Sequence, residues 1–234
     1  MIRIRNIQAV FIKQIWDTLK NMQVLVLFII YPAVAFVMIQ AMGEQEESRY
    51  FFLSTFAVMH CVFTPVVSTA AVLSEEKEKN TLRVLILSGV KPLEYLFSIG
   101  FFVWMATQIT GISFLLMAGC SPLQGAGLLF LFTAACVPSV ILGMCIGMYA
   151  RNMATANALA VPMGMVFAFL PMLAFFNQTI EKAAQFTYSY QIGEAIRKLG
   201  TSDEFLSWKL VIAAAYLIFF FILFGVLFQK RKWD

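Results

Sequence analysis

Charged residues divide this chain into five long uncharged stretches: 21–43, 50–74, 95–150, 152–180 and 210–229. A helix needs about 20 apolar residues to cross the hydrocarbon core of a bilayer, so four of these stretches predict one spanning helix each. The third, at 56 residues, would make about 84 Å of helix, far more than one crossing. It contains the turn cluster GCSPLQGAG at 119–127, whose Gly and Pro punctuation splits it into two spans. The pattern therefore predicts six spans, at 22–42, 51–73, 93–118, 128–149, 154–176 and 207–228. Pro162 and Pro171 lie within the fifth, which is expected to bend or break there because proline removes a backbone donor and clashes with the preceding turn.

Three further segments carry helical periodicity without being spans. In 1–21, Ile4, Ile7, Phe11, Ile15 and Leu19 form a stripe, with Arg5, Lys13, Asp17 and Lys20 off it; such a helix prefers to lie in the membrane interface. In 177–200, Ile180, Ala184, Tyr188, Ile192, Ile196 and Leu199 alternate with charges, which predicts one or two short helices on or dipping into the outer membrane face. Thr201 and Glu204 then read as a capping box before the last span. The third segment, 75–88, is the densest charge run. Glu75, Glu76, Lys77, Glu78 and Lys79 continue the second helix into water, with Glu75 and Lys79 spaced i,i+4. Asn80 breaks that helix, 81–88 forms a short second one with Leu82, Leu85 and Ile86 on one side, and Gly89 and Pro92 close it. A short helix held by a turn at each end is a rigid projection.

Composition agrees with the pattern. Hydrophobic residues make up 61% of the chain and charged ones 13%, against about 45–50% and about 25% in globular domains. The fold class is an all-α integral membrane protein with a single transmembrane domain over 1–234. Twelve of the seventeen Lys and Arg fall in the segments that face the cytoplasm if the N-terminus lies inside. The basic-residue bias thus places both termini in the cytoplasm and the chain in the cell membrane. The net charge of +4 reads as inner-leaflet anchoring rather than nucleic-acid binding, and no cleavable leader is expected.

Candidate chemistry is sparse. Cys61, Cys120, Cys136 and Cys145 show no CxxC pair and no metal spacing, so they read as small hydrophobes. The acidic group Glu44, Glu46 and Glu47 offers too few oxygens for calcium. The single histidine, His60, has no second His or intramembrane carboxylate to work with, and its expected role is a hydrogen bond to a neighbouring helix. Gly143 and Gly147, spaced GxxxG, predict close helix contact. No P-loop, HExxH or GxSxG motif occurs. The spans are nearly free of Asp, Glu, Lys and Arg, residues that ion-coupled carriers tend to keep despite their insertion cost. Energy for uphill transport would enter from outside the bilayer, and the projection at 75–88 is the place for it.

The interfacial helix, six spans with both ends inside, SEEKEKNTL after the second span and the amphipathic segment before the sixth together resemble the type 2 ABC transporter permeases. The resemblance covers nearly the whole chain. It implies that 75–88 is a coupling helix seated in a groove of a separate cytoplasmic ABC ATPase, through Glu75, Glu76, Lys77, Glu78, Lys79, Thr81, Leu82 and Arg83. Asn80 stands where family members often carry Gly, and Arg83 where they often carry an acidic residue. The resemblance further implies a dimer with a second permease copy or paralogue, a path at the dimer interface lined by the second and fifth spans, and outer re-entrant helices at 177–200. ATP and Mg would be held by the ATPase, and no cofactor or metal by this chain. Candidate path residues are His60, Thr64, Ser68, Asn157, Met163, Phe167 and Phe176, since flexible Met and large aromatics suit varied apolar cargo such as a drug, an antimicrobial peptide or a lipid-like molecule. Two other readings compete. A lipid-modifying membrane enzyme would need a cluster of His, Asp or Glu near one face, and Lys77 and Lys79 neutralise the only acidic candidate. An ATP-independent channel or carrier leaves the rigid projection without a purpose.

Overall fold

A computed structural model describes residues 3–42, 46–119, 121–199 and 208–230. The elements are helices α1 (Ile4–Lys20), α2 (Met22–Met42), α3 (Glu46–Glu78), α4 (Thr81–Leu87), α5 (Pro92–Ala118), α6 (Pro122–Tyr149), α7 (Met153–Phe176), α8 (Gln178–Ala184), α9 (Tyr188–Leu199) and α10 (Val211–Lys230), the last preceded by a 3-10 turn at Trp208–Leu210. No strand occurs among the described residues. Six of the helices, α2, α3, α5, α6, α7 and α10, are long and apolar enough to cross a membrane, in agreement with the count read from the charge-free stretches. The Thr201/Glu204 box, Cys120 and Glu44 lie outside the described residues.

Helix α3 is the axis of the bundle. Its apolar window is 94% buried, against 11% for α10 and 22% for α2 and α7. With 33 residues it is about 50 Å long, so it outruns the hydrocarbon and carries the charge run beyond it. The tightest partner of α3 is α6, and glycines set the distance. A Cβ on Gly143 would lie 2.6 Å from the Val66 carbonyl oxygen, and one on Gly147 would lie 3.0 Å from the Leu73 side chain. The GxxxG spacing therefore does bring two backbones together. Helices α2, α5 and α7 surround this pair, and α10 packs on α6.

Proline interrupts α2, α3, α6 and α7 in sequence but not in structure. Pro162 and Pro171 both lie inside an α7 that is not broken at either; neighbouring helices support freed backbone groups in a bundle. At one end of the bundle, Asn177 Oδ1 accepts from Thr179 N (2.8 Å) and caps α8. Helix α9 then inserts among α3, α6, α7 and α10. Its Tyr188 is fully buried, shares a 2.9 Å hydrogen bond with Ser139 Oγ, and packs against Phe167, Tyr216 and Phe220. At the other end lie α1, α4 and the α6–α7 turn.

The amphipathic stripe of α1 is rotated from its expected place. Ile4 and Leu19 are exposed, Ile7, Phe11 and Ile15 are half-buried, and the fully buried positions are Val10, Gln14 and Thr18. Two polar side chains thus hold the centre of the packed face, because α1 meets the charged end of α3 as well as the apolar flank of α5.

Candidate functional site

The charge run at the end of α3 passes into a compact projection. Asn80 adopts the left-handed conformation (φ 58°), a region where Asn is tolerated better than most residues. Gly89 turns the chain again at φ 91°, where a side chain would be strained. Pro92 opens α5 at its first turn. Between the two turns, α4 puts Leu82 into the bundle at 6% exposure and half-buries Leu85 and Ile86. Its opposite side leaves Arg83, Val84 (64%) and Leu87 (79%) in the open. Thr81 Oγ1 donates to the Glu76 carbonyl oxygen (3.0 Å) and ties the start of α4 to the end of α3.

The charged side chains before α4 are engaged within the chain. Glu75 accepts from Asn21 Nδ2 at 2.9 Å and pairs with Lys79 at 2.5 Å. That hydrogen bond and charge hold the Lys79 pKa above its ordinary value. Glu76, 6% exposed, pairs with Lys13 of α1 at 2.7 Å. Burial pulls the Lys13 pKa down, but its bonds to Asp17 and Glu76 outweigh burial and leave it raised. Lys77 Nζ donates to the carbonyl oxygens of Gly147 (2.8 Å), Met148 (3.1 Å) and Ala150. These are the orphan carbonyls that end α6, and a cation is favoured there by the helix dipole. Glu78 Oε2 accepts from Met153 N at 2.9 Å, placing a carboxylate at the positive end of α7. One turn of α3 therefore braces α1, the end of α6 and the start of α7 together.

A second brace was not visible in the sequence reading. Glu94, 1% exposed, accepts from Arg3 N (2.7 Å), Asn6 Nδ2 (2.7 Å) and Lys91 N (3.1 Å). A buried carboxylate with three donors is a satisfied one, and it latches the start of α1 to the start of α5. The available signal was Glu94 at the third position of a helix opened by Pro92, a capping pattern. That pattern predicts the bond to Lys91 N and not those to α1.

The candidate path residues do not converge. His60, Thr64 and Ser68 are fully buried on α3. The His60 Nε2 lies 3.1 Å from both the Thr107 carbonyl oxygen and Thr110 Oγ1 on α5, with Phe114 and Phe132 around the ring. Thr64 Oγ1 donates to the Leu27 carbonyl oxygen (2.9 Å), and Ser68 Oγ to that of Thr64 (2.6 Å). On α7, Asn157 and Phe167 are half-buried, whereas Met163 (41%) and Phe176 (69%) are exposed. Cys61, Cys136 and Cys145 are buried free thiols. Among the described residues no group of three or more His, Cys, Asp or Glu is placed to hold a metal ion.

Six helices long and apolar enough to cross a membrane define the class as a multi-pass membrane protein. The family model for ABC-2 family transporter proteins matches residues 37–228, and the chain belongs to that family. No curated protein matches the chain.

Proposed function

We propose that this chain is the transmembrane permease subunit of an ATP-binding-cassette exporter, set in the cell membrane with both termini in the cytoplasm. It works with separate cytoplasmic ABC ATPase subunits, which hold ATP and Mg, and with a second permease copy or paralogue. The observation that carries the reading is α4. It is a short helix fixed by two turns and by its own buried leucine, and it turns Arg83, Val84 and Leu87 outward. Apolar side chains so exposed on a rigid projection are what a docking groove takes up. Thr81 and Leu82 anchor this helix, and Glu75 to Lys79 are the ties behind it. Movement of α4 on ATP binding would pass through Lys13 to α1 and through Lys77 and Glu78 to α6 and α7.

The outward direction and an amphipathic cargo follow from the resemblance to type 2 permeases. The exposed Met163, Met165, Val166 and Phe176 flank of α7 is the surface best suited to apolar cargo at an interface between two permeases. His60 would reach cargo only if α3 and α5 part, and Thr64 only if α3 and α2 part.

The test is co-purification of the tagged chain with a co-expressed ABC ATPase. Wild type should retain the ATPase, Glu78→Gln should retain it, and the pair Val84→Asp and Leu87→Asp should lose it while the permease stays folded. A folded wild-type preparation without ATPase, or retention by the double variant, overturns the proposal.

A further inference from the structure

A groove of about 590 Å³ lies between α2 and α5, at the end of the bundle opposite α4. Its walls include Ile29, Pro32, Ala33 and Phe36 of α2 and Leu116 and Met117 of α5. Ile29, Phe36 and Leu116 are 51%, 53% and 79% exposed, so the apolar walls open outward to the bilayer. From Ile29 to Gln40 the lining follows α2 for about 16 Å, half of the roughly 30 Å hydrocarbon core. The groove is therefore one leaflet deep.

Its rim is charged. Arg49, in the first turns of α3, is the single charged residue of the lining. Its Nη2 donates to the Met117 carbonyl oxygen at 2.6 Å, one of the carbonyls that the end of α5 leaves without an intrahelical partner. That bond fixes the guanidinium where α5 stops, with the side chain still exposed. The other N–H donors of the guanidinium have no partner among the described residues, and their planar fork matches a phosphate.

We propose that this groove seats one phospholipid, its phosphate on Arg49 and one acyl chain along the walls from Phe36 to Ile29. Depth and charge together select this occupant. A transmembrane helix needs twice the length of wall, and a soluble anion has no use for the apolar walls. Glu44, Glu46 and Glu47 lie just before Arg49 in the sequence and disfavour a headgroup of net negative charge, which leaves a zwitterionic phospholipid. The inference does not rest on the transport reading; the seat would exist in a permease, a channel or an enzyme.

The test photolabels the full chain, delipidated in detergent, with phosphatidylcholine carrying a diazirine on one acyl chain, and maps the labelled peptides by mass spectrometry. A diacylglycerol with the same chain is the phosphate-free comparison. The exposed side of α10, with Phe219, Phe221 and Ile222, is the internal reference. Phosphatidylcholine should label residues 29–40 and 113–117 about tenfold more than α10, and about tenfold more than diacylglycerol does, the scale of one charge-assisted hydrogen bond. Arg49→Gln should abolish the preference for phosphatidylcholine over diacylglycerol. Because that variant also loses the bond to Met117, Ala33→Phe gives a separate check. Ala33 is exposed, so the ring enters the groove without touching the core, and it should cut groove labelling about tenfold with α10 unchanged. Groove labelling no stronger than that of α10, equal labelling by the two lipids, or labelling untouched by either variant overturns the proposal. Stronger labelling by a phosphatidylglycerol probe overturns the zwitterionic assignment, and loss of the label to inorganic phosphate makes the seat one for a free anion.

Discussion

Lys77→Met should cost this protein more than any other change in its charge run. The wild-type ammonium donates to three carbonyl oxygens at the end of α6, at 2.8 Å to Gly147, 3.1 Å to Met148, and to Ala150. Methionine keeps the length and apolar stem of lysine but has nothing to donate. A hydrogen bond to a charged group contributes about 1.5–3 kcal/mol, and a cation at a helix C-terminus about 0.3–1 kcal/mol more. Water can reach part of this half-buried turn and replace some of the loss, which leaves about 2 kcal/mol. For a chain of this size that corresponds to a melting temperature lower by about 4–8 °C. The assay is a thermal melt in one detergent, with Lys79→Met as the internal comparison. The Lys79 side chain is 65% exposed and pairs with Glu75, and an exposed pair contributes only about 0–1 kcal/mol. A Lys77→Met protein that melts with wild type, or a Lys79→Met protein that loses more, would refute the reasoning.

Gly143→Ala should destabilise by about 1–3 kcal/mol, because its Cβ would sit 2.6 Å from the Val66 carbonyl oxygen, whereas Gly225→Ala meets nothing within 4 Å and should be neutral or stabilising in the same melt. Glu94→Gln presents one amide oxygen to donors from Arg3, Asn6 and Lys91, and should free the start of α1, read as faster tryptic cleavage there with the bundle intact. The raised Lys13 pKa means its tie stabilises fully below the ordinary value of 10.5 and is lost as pH rises through the higher folded value. Protection of α1 from protease should therefore stay level from neutral pH to about 10 and fall above it, and Lys13→Met should remove that fall.

The elements that could be read in advance are those with local causes. Spans follow from charge-free length, and α4 follows from Asn80, Gly89 and Pro92 acting on their own neighbours. The association of α3 with α6 was legible because Gly143 and Gly147 leave room that any partner would use, although the partner itself was not named by them. What stayed hidden depends on distance in sequence. Glu76 and Glu78 look alike in a charge run, yet one meets Lys13 and the other meets Met153 only because α1 and α7 arrive at the same end of α3. Gln14 and Thr18 are buried only because α1 packs along α5 and is tied to α3 through Lys13 and Glu76. Glu94 likewise looks like a first-turn carboxylate, and its hold on Arg3 and Asn6 is a tertiary fact.

The account turns on α4 meeting an ATPase in the cytoplasm. The most direct measurement places a photo-crosslinking amino acid at Leu87, 79% exposed on α4, and separately at Phe186, 73% exposed near the start of α9 at the opposite end. Each protein would be irradiated in membranes that also contain a co-expressed ABC ATPase. The account predicts a crosslink to the ATPase from position 87 and none from position 186. A crosslink from 186 and not from 87, or none from either while the two proteins still co-purify, would contradict it.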